Sequence, residues 1–340
     1  MQAPISGVVK DAQVRGNPAV MRSVLGLTAA SRAAQGGSQA FMDATKYLVS
    51  SMLRSAAKKI EIELLYGQMG YGTISTAVAH TAGSTTVVIE TAEWAPGIWA
   101  GAERLPIDLR TSGGVSRGTS SVASVDMSTR TITLTTGIPA SAQGDILYHG
   151  GAYGNEFPGI HKILSQQTGT LFNVDVSTYG IFRGNLYSAG SGALSFTKLN
   201  QATARAIEKG LEGKLLALVN PRAWANLLND QAALRKYDSS YSSSKLENGS
   251  QSIKFFSQNG EIEIEPSIFV KEGYCYLLSM EDWMRVGSAD ITFKRPGYSD
   301  QFFRELENSA GFELRLWTDQ ALFCSAPGRN VLITDVVNQA

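Results

Sequence analysis

Apolar and polar positions follow one another along this chain in two rhythms, and the change between them divides it. From Ser38 to Tyr66 there is no glycine or proline, and Phe41, Leu48, Met52, Ala56, Ile60 and Leu64 stand four or seven positions apart. That spacing predicts a single helix, roughly 43 Å long at 1.5 Å per residue, with one apolar stripe. Lys46, Arg54, Lys58 and Glu61 face away from the stripe. The segment Gly67-Gln68-Met69-Gly70-Tyr71-Gly72 follows at once, and Gly67 is the expected helix stop. Between Thr85 and Asp145 the rhythm shortens. Runs such as Thr86-Val87-Val88-Ile89, Val122-Ala123-Ser124-Val125 and Thr131-Ile132-Thr133-Leu134 are β-branched and bounded by Gly, Pro and Ser. They predict a small all-β module of five or six strands within 72–153.

Beyond Gly192 both rhythms return. Ser195 and Thr197 are candidate N-caps for a helix whose apolar positions are Leu199, Ala202, Ala206 and Leu211, ending near Gly210 to Gly213. Leu215 to Val219 is wholly apolar and ends at Pro221, as a buried strand does, and Arg222 to Ala233 resumes a helix carrying Trp224, Leu227 and Leu228. Asp238 to Gly249 holds five serines and little to bury, so it reads as a surface loop. In Glu261-Ile262-Glu263-Ile264-Glu265 the alternation puts three glutamates on one strand face, either solvated or in contact with another subunit. Gly311 to Phe323 alternates again around Trp317. The first 37 residues carry too few large apolar side chains for a core of their own, so an extended path against something else is expected, another subunit included.

Composition narrows the functional classes. Lys plus Arg and Asp plus Glu are 30 each, which leaves no basic excess for neutralising many phosphates and argues against tight nucleic-acid binding. No apolar run reaches the roughly 18 residues of a membrane span, and Met1 to Val9 lacks a signal-peptide pattern, so a soluble protein made in a cytoplasm is expected. Cys275 and Cys324 sit in apolar runs and read as buried free thiols. His80, His149 and His161 match no metal-ligand spacing. Gly67-x-x-Gly70-x-Gly72 follows a helix, whereas a phosphate-cradling loop follows a strand. Trp94, Trp99, Tyr148 and Tyr153 flank the β module and fit either a sugar-binding platform or a core. No catalytic residue, cofactor site or metal site is expected.

The order of these elements resembles the major capsid proteins of tailed phages, of the Hong Kong 97-type fold. The resemblance rests on Ala40-Phe41 opening the long helix and Glu63-Leu64-Leu65-Tyr66-Gly67 closing it. Further along it rests on Gly144-Asp145 and Gly151-Ala152 leading to Gly159-Ile160, on Val219-Asn220-Pro221-Arg222-Ala223-Trp224, and on Pro327. It implies an α+β subunit: an N-terminal arm or extended loop over 1–37, a peripheral domain with the spine helix over 38–71, an inserted β domain over 72–153, an axial domain over 154–280, and a peripheral return over 281–340. Phe41, Leu48, Met52, Ile60 and Leu64 would pack the spine helix. Arg15, Lys245, Glu247, Glu261 and Glu263 are candidate intersubunit contacts. The implied function is self-assembly, as pentamers and hexamers, into an icosahedral head in the virion. The head would be built in the host cytoplasm with a separate scaffolding protein, a portal and a decoration protein, and would enclose double-stranded DNA without reading its sequence. The family's lysine-to-asparagine crosslink does not carry over, because Lys10 is the only lysine before Lys46. Competing readings are a carbohydrate-binding surface protein and a cargo-enclosing non-viral shell protein of the same fold.

Overall fold

The computed structural model describes residues 17–26, 38–76, 83–138, 141–229, 253–257, 260–293, 303–305 and 311–338. Arg15, His80, Lys245, Glu247 and the loop Asp238 to Gly249 lie outside them. The described residues form an α+β structure with few helices and many strands, in two compact units: 17–64 with 285–323, and 65–284 with 324–338.

In the smaller unit, strand β1 (Asn17–Gly26) pairs antiparallel along its whole length with β17 (Gly311–Cys324), from Asn17 opposite Gln320 to Gly26 opposite Gly311. Over Asn17–Gly26 the chain is therefore extended, and its partner there is a late strand of the same chain. Strands β15 (Trp283–Thr292) and β16 (Phe303–Glu305) complete the sheet beside β17. Helix α1 runs from Ser38 to Tyr66. Met52 and Ala56 are buried with Leu314 and Leu316, flanked by Val49, Ile291 and Phe293. Ile60 and Leu64 are only half-buried, and the side chains of Phe41 and Leu48 lie outside the described set. The reason is helical geometry: a four-residue ladder drifts about 40° per step around a 3.6-residue helix. Ile62, Leu65 and Tyr66 are buried at its C-terminal end instead.

Gly67 is not the left-handed residue that stops α1. Gln68 is, at φ 68°, and its strain is offset by Glu156, whose Oε2 accepts from the Gln68 amide at 3.1 Å while the Gln68 side chain donates to the Glu156 carbonyl at 2.8 Å. Gly70 then requires glycine, because at φ 80° a Cβ would stand 2.5 Å from Ile146 Cγ2 and 2.9 Å from the Leu147 carbonyl.

The next six strands, β2 (Gly72–Thr76), β3 (Thr85–Ile89), β4 (Pro106–Arg110), β5 (Ser116–Asp126), β6 (Thr131–Leu134) and β7 (Ile146–His149), close into a barrel in the order β2-β3-β6-β5-β4-β7. Period-two alternation fills it: Ile74, Val87, Ile89, Ile107, Leu109, Ile132, Leu134 and Leu147 all point into the core. Helix α2 (Pro96–Trp99) leaves between β3 and β4, and Trp94 stacks on Trp99 with centroids 6.2 Å apart. At 2% and 0% exposure the two indoles are core, and Tyr148 is buried at 6%, so of the four aromatics only Tyr153, 39% exposed, presents its ring to solvent.

The remaining elements of the larger unit are α3 (Ile160–Ser165), the hairpin β8 (Thr170–Leu171) and β9 (Val174–Asp175), β10 (Asn185–Gly192), α4 (Phe196–Ile207), β11 (Leu215–Val219), α5 (Pro221–Asn229), β12 (Ile253–Ser257), β13 (Gly260–Pro266), β14 (Cys275–Leu278) and β18 (Val331–Val336). Six of the strands make one sheet, β10-β18-β14-β11-β13-β12, with β10–β18 and β11–β13 parallel. Ser195 caps α4, its hydroxyl accepting from the Lys198 amide. Leu199, Ala202 and Ala206 of α4 and Ala223 and Leu227 of α5 cover the face made by Ala217, Val219, Ile262, Ile264, Cys275, Leu277 and Ile333. Cys275 and Cys324 are buried free thiols. None of the described helices is long and apolar enough to cross a membrane.

Leu316 is fully buried beneath α1, so Leu316→Ala is expected to cost about 2 to 5 kcal/mol by leaving a cavity, whereas Arg54→Ala on the exposed side of the helix should stay within about 0.5 kcal/mol. Urea unfolding of the two variants checks this; equal losses would refute the packing face.

Candidate functional site: a buried polar joint

The turn after β3 and the loop before β14 meet backbone to backbone. The Glu272 amide donates to the Trp94 carbonyl at 2.9 Å, the Gly273 amide to the Ala92 carbonyl at 2.8 Å, and the Gly97 amide to the Ile268 carbonyl at 2.9 Å. Two glycines permit this approach: a Cβ on Gly97 would stand 2.8 Å from the Ile268 oxygen, and one on Gly273 would stand 2.6 Å from the Ala92 Cβ. Barrel and six-stranded sheet are thereby fastened within the larger unit.

A cluster of ionisable side chains fills the junction. Lys271, 3% exposed, places Nζ 2.6 Å from Glu93 Oε2 and donates to the Gly70 carbonyl at 3.2 Å. The same ammonium lies 4.3 Å from the centroid of the Tyr66 ring. Tyr274 donates its hydroxyl to Glu93 Oε1 at 2.5 Å. The Lys271 amide donates to the Tyr66 oxygen at 2.8 Å, so the last residue of α1 is tied to the same loop. The Tyr66 and Tyr276 hydroxyls are also hydrogen-bonded to each other. His161 Nδ1 lies 2.9 Å from the Tyr276 oxygen and shares a hydrogen bond with it, so α3 is tied to β14. The Tyr274 ring packs edge-on against His161 with centroids 4.6 Å apart.

The electrostatics follow from burial and pairing. Burial alone would raise the Glu93 carboxyl, but the Lys271 charge and hydrogen bonds from Lys271 and Tyr274 outweigh it and bring the group down to about 2. His161 is pushed down to about 4 by burial and by the Lys271 charge, with Glu93 pulling the other way. Tyr66, Tyr274 and Tyr276 are raised, burial being the first cause in each. At neutral pH the joint therefore holds one lysinium, one carboxylate, a neutral imidazole and three neutral phenols. Each of these side chains has a hydrogen-bond partner within the cluster, and exposures of 1% at Tyr66 and 0% at Tyr276 leave no space for a substrate beside them. The arrangement is a fastener rather than a catalytic centre.

Of the residues weighed in the sequence for chemistry, His161 brings its side chain to this joint, and Trp94 and Gly70 bring backbone carbonyls. Glu93, Lys271, Tyr66, Tyr274 and Tyr276 were missed as a group, although Lys271-Glu272 interrupting the apolar run from Ile268 to Leu278 is a readable sign. His149 bonds its own neighbour's carbonyl through Nδ1 at 3.0 Å. Glu261, Glu263 and Glu265 share the sheet face opposite α4 and α5, where Lys214 lies 3.2 Å from Glu261. Among the described residues no group of His, Cys, Asp and Glu has the arrangement to hold a metal ion.

Removing one partner of the buried pair leaves the other charge uncompensated. Lys271→Met should destabilise by about 3 to 5 kcal/mol, and Lys271→Met with Glu93→Gln by much less than the two single losses added. Chemical denaturation at pH 7 measures both; additive losses would contradict the pairing. The pH dependence has a definite sign. Between about pH 6.5 and 4 the unfolded chain binds the His161 proton better than the folded one, and between about pH 4.5 and 2 the same holds for Glu93. Stability should therefore fall as pH falls through both windows, and His161→Phe should flatten the upper one; an unchanged slope above pH 4.5 would refute the assignment.

No family model matches the chain, and no curated relative does. Solved structures similar to it are shell proteins of phages and encapsulins. A cyanophage A-1(L) capsid chain aligns at TM-score 0.38 and 15% identity over 54% of this chain and 61% of that one. The SrpI encapsulin of Synechococcus elongatus aligns at 0.31 and 15% over 52% and 59%. A chain of the satellite phage P4 procapsid, a structure that includes the size determination protein, aligns at 0.34 and 8% over 99% and 78%. The chain thus spans about three fifths of the length of the first two.

Proposed function

We propose that this chain is a major capsid protein of Hong Kong 97-type architecture, which assembles with itself into the icosahedral head of a double-stranded DNA tailed phage and catalyses nothing. The observation that carries the reading is the smaller unit: a 29-residue helix lies with Met52 and Ala56 on a sheet whose longest strand pairs end to end with the arm-like segment Asn17–Gly26. A spine helix on a peripheral sheet is what the sequence resemblance implies, and in this reading the closed barrel at 72–149 is the inserted domain. The polar joint supports it too, since the densest cluster of titratable groups described is spent on holding the fold. In this reading the six-stranded sheet is the axial domain, and pentamers and hexamers form with a scaffolding protein, a portal and a decoration protein, in the host cytoplasm and without a membrane. Burial of Trp94 and Trp99 weighs against the carbohydrate-binding reading.

Negative-stain microscopy and sedimentation velocity of the purified full chain test the proposal. Rings or closed shells are the expected outcome, and a dispersed monomer at every concentration and with scaffolding protein supplied would overturn it. Shells that form in the producing cell should carry an absorbance ratio typical of nucleic acid; shells filled with a single enzyme would turn the reading to a cargo container.

A further inference from the structure

At the start of β10 a basic corner gathers around the turn at Pro327–Arg329. Arg183 and Arg205 are exposed there, and Lys209 donates to the Arg183 carbonyl at 3.1 Å with its Cδ against Gly328. Arg205 donates to the Leu186 carbonyl and lies over the Tyr187 ring, 5.1 Å from its centroid. Asn185 ties the corner together by donating to the carbonyls of Arg205 and Gly328. Burial lowers Lys209, and the neighbouring Arg183 charge adds to it. Glu208 is the adjacent carboxylate, and Arg329 is engaged by Asp282 at 3.6 Å.

Three strands further into the same sheet the charge reverses. An open groove of about 490 Å³ runs over β11 and β13, floored by Leu215 and Leu216, with Glu261, Glu263, Glu265 and Glu281 around it and Met280 standing 57% exposed at its side. Lys214, which pairs with Glu261, is the one lysine among the lining residues, so the carboxylates outnumber the cations there. From β10 to β13 is four strand spacings, roughly 19 Å.

A corner and a groove of opposite charge, at different places on one chain, cannot meet each other within that chain. They can meet between copies. We infer that the basic corner of one copy docks into the acidic groove of the next, a heterologous contact in which Arg183 and Arg205 face Glu265 and Glu281 and Met280 is covered. Such a contact is repeated head to tail, and it closes a ring when the rotation between copies divides the circle. Opposite charge steers the encounter and sets the direction of the ring, so the contact should weaken with added salt. This inference rests on the assembly reading and names the surfaces that carry it.

Two charge-reversed chains test it: Arg183→Glu with Arg205→Glu, and Glu265→Lys with Glu281→Lys. The first presents two acidic surfaces and the second two basic ones. Each alone should assemble at least about tenfold less well than the unaltered chain in sedimentation velocity, and an equimolar mixture should recover assembly by alternating the two. Normal assembly of either variant alone, or a mixture no better than its parts while both melt like the unaltered chain, would overturn the contact. Should either fail to fold, Arg183→Cys mixed with Glu265→Cys under an added disulfide oxidant gives the second reading: a crosslinked pair is expected, and none forming would refute the contact. If the first variant assembles normally but loses double-stranded DNA, the corner binds nucleic acid and the inference falls. An unaltered chain that never assembles refutes the shell reading itself, an outcome distinct from all of these.

Discussion

An ammonium group held 2.6 Å from a carboxylate, with almost no water beside it, must be matched in full or its surroundings give way, and Lys271 with Glu93 sets that condition on the larger unit. Every neighbouring feature meets it. The Gly70 carbonyl takes a lysine hydrogen, which fixes the chain where it leaves α1; Tyr274 takes the second carboxylate oxygen, which fixes the start of β14. Tyr66 receives the Lys271 amide and presents its ring face to the charge. A single ion pair thus sets the positions of the helix end, the turn after β3 and the central strands of the sheet together. An apolar cluster of equal volume would tolerate sliding, whereas hydrogen bonds and an ion pair hold this one only over a narrow range of distances.

The geometry at the joint also explains where its glycines fall. Gly97 and Gly273 stand where two backbones approach within hydrogen-bonding distance, and a methyl group at either would push the segments apart by more than their amides can follow. Since those amide bonds lie beside Glu93 and Lys271, separation would also admit water to the ion pair. Steric and electrostatic terms reinforce each other here, because close packing is what gives the pair its low-dielectric surroundings.

Local rules made much of the fold legible in the sequence. The glycine-free span gave both ends of α1 at Ser38 and Tyr66, Ser195 announced the cap of α4, and the alternation at Glu261–Glu265 gave the two faces of β13. What local rules miss is long-range. The four-residue ladder through Ile60 and Leu64 was read as a straight stripe, but the drift of the ladder around the helix takes those two positions to its rim. Gly67 is the expected stop because glycine carries no intrinsic penalty in the left-handed region; what lets Gln68 take that role is Glu156, 88 residues away. The joint itself draws on Tyr66, Glu93, His161 and Lys271, which no window of sequence contains together.

The strand pairings impose an order on synthesis. Asn17 finds its partner at Gln320, and β18, built from residues 331–336, lies between β10 and β14 inside the six-stranded sheet rather than at its edge. While the chain is still emerging from the ribosome, β10 and β14 have an empty lane between them and β1 has no ladder to join. Neither unit can reach its final form until some three hundred residues have been made and the long loops have closed. A prematurely terminated chain lacks an interior strand, not a trimming at the margin, so its six-stranded sheet stays split. The topology thereby works as a length check on the chain's own folding.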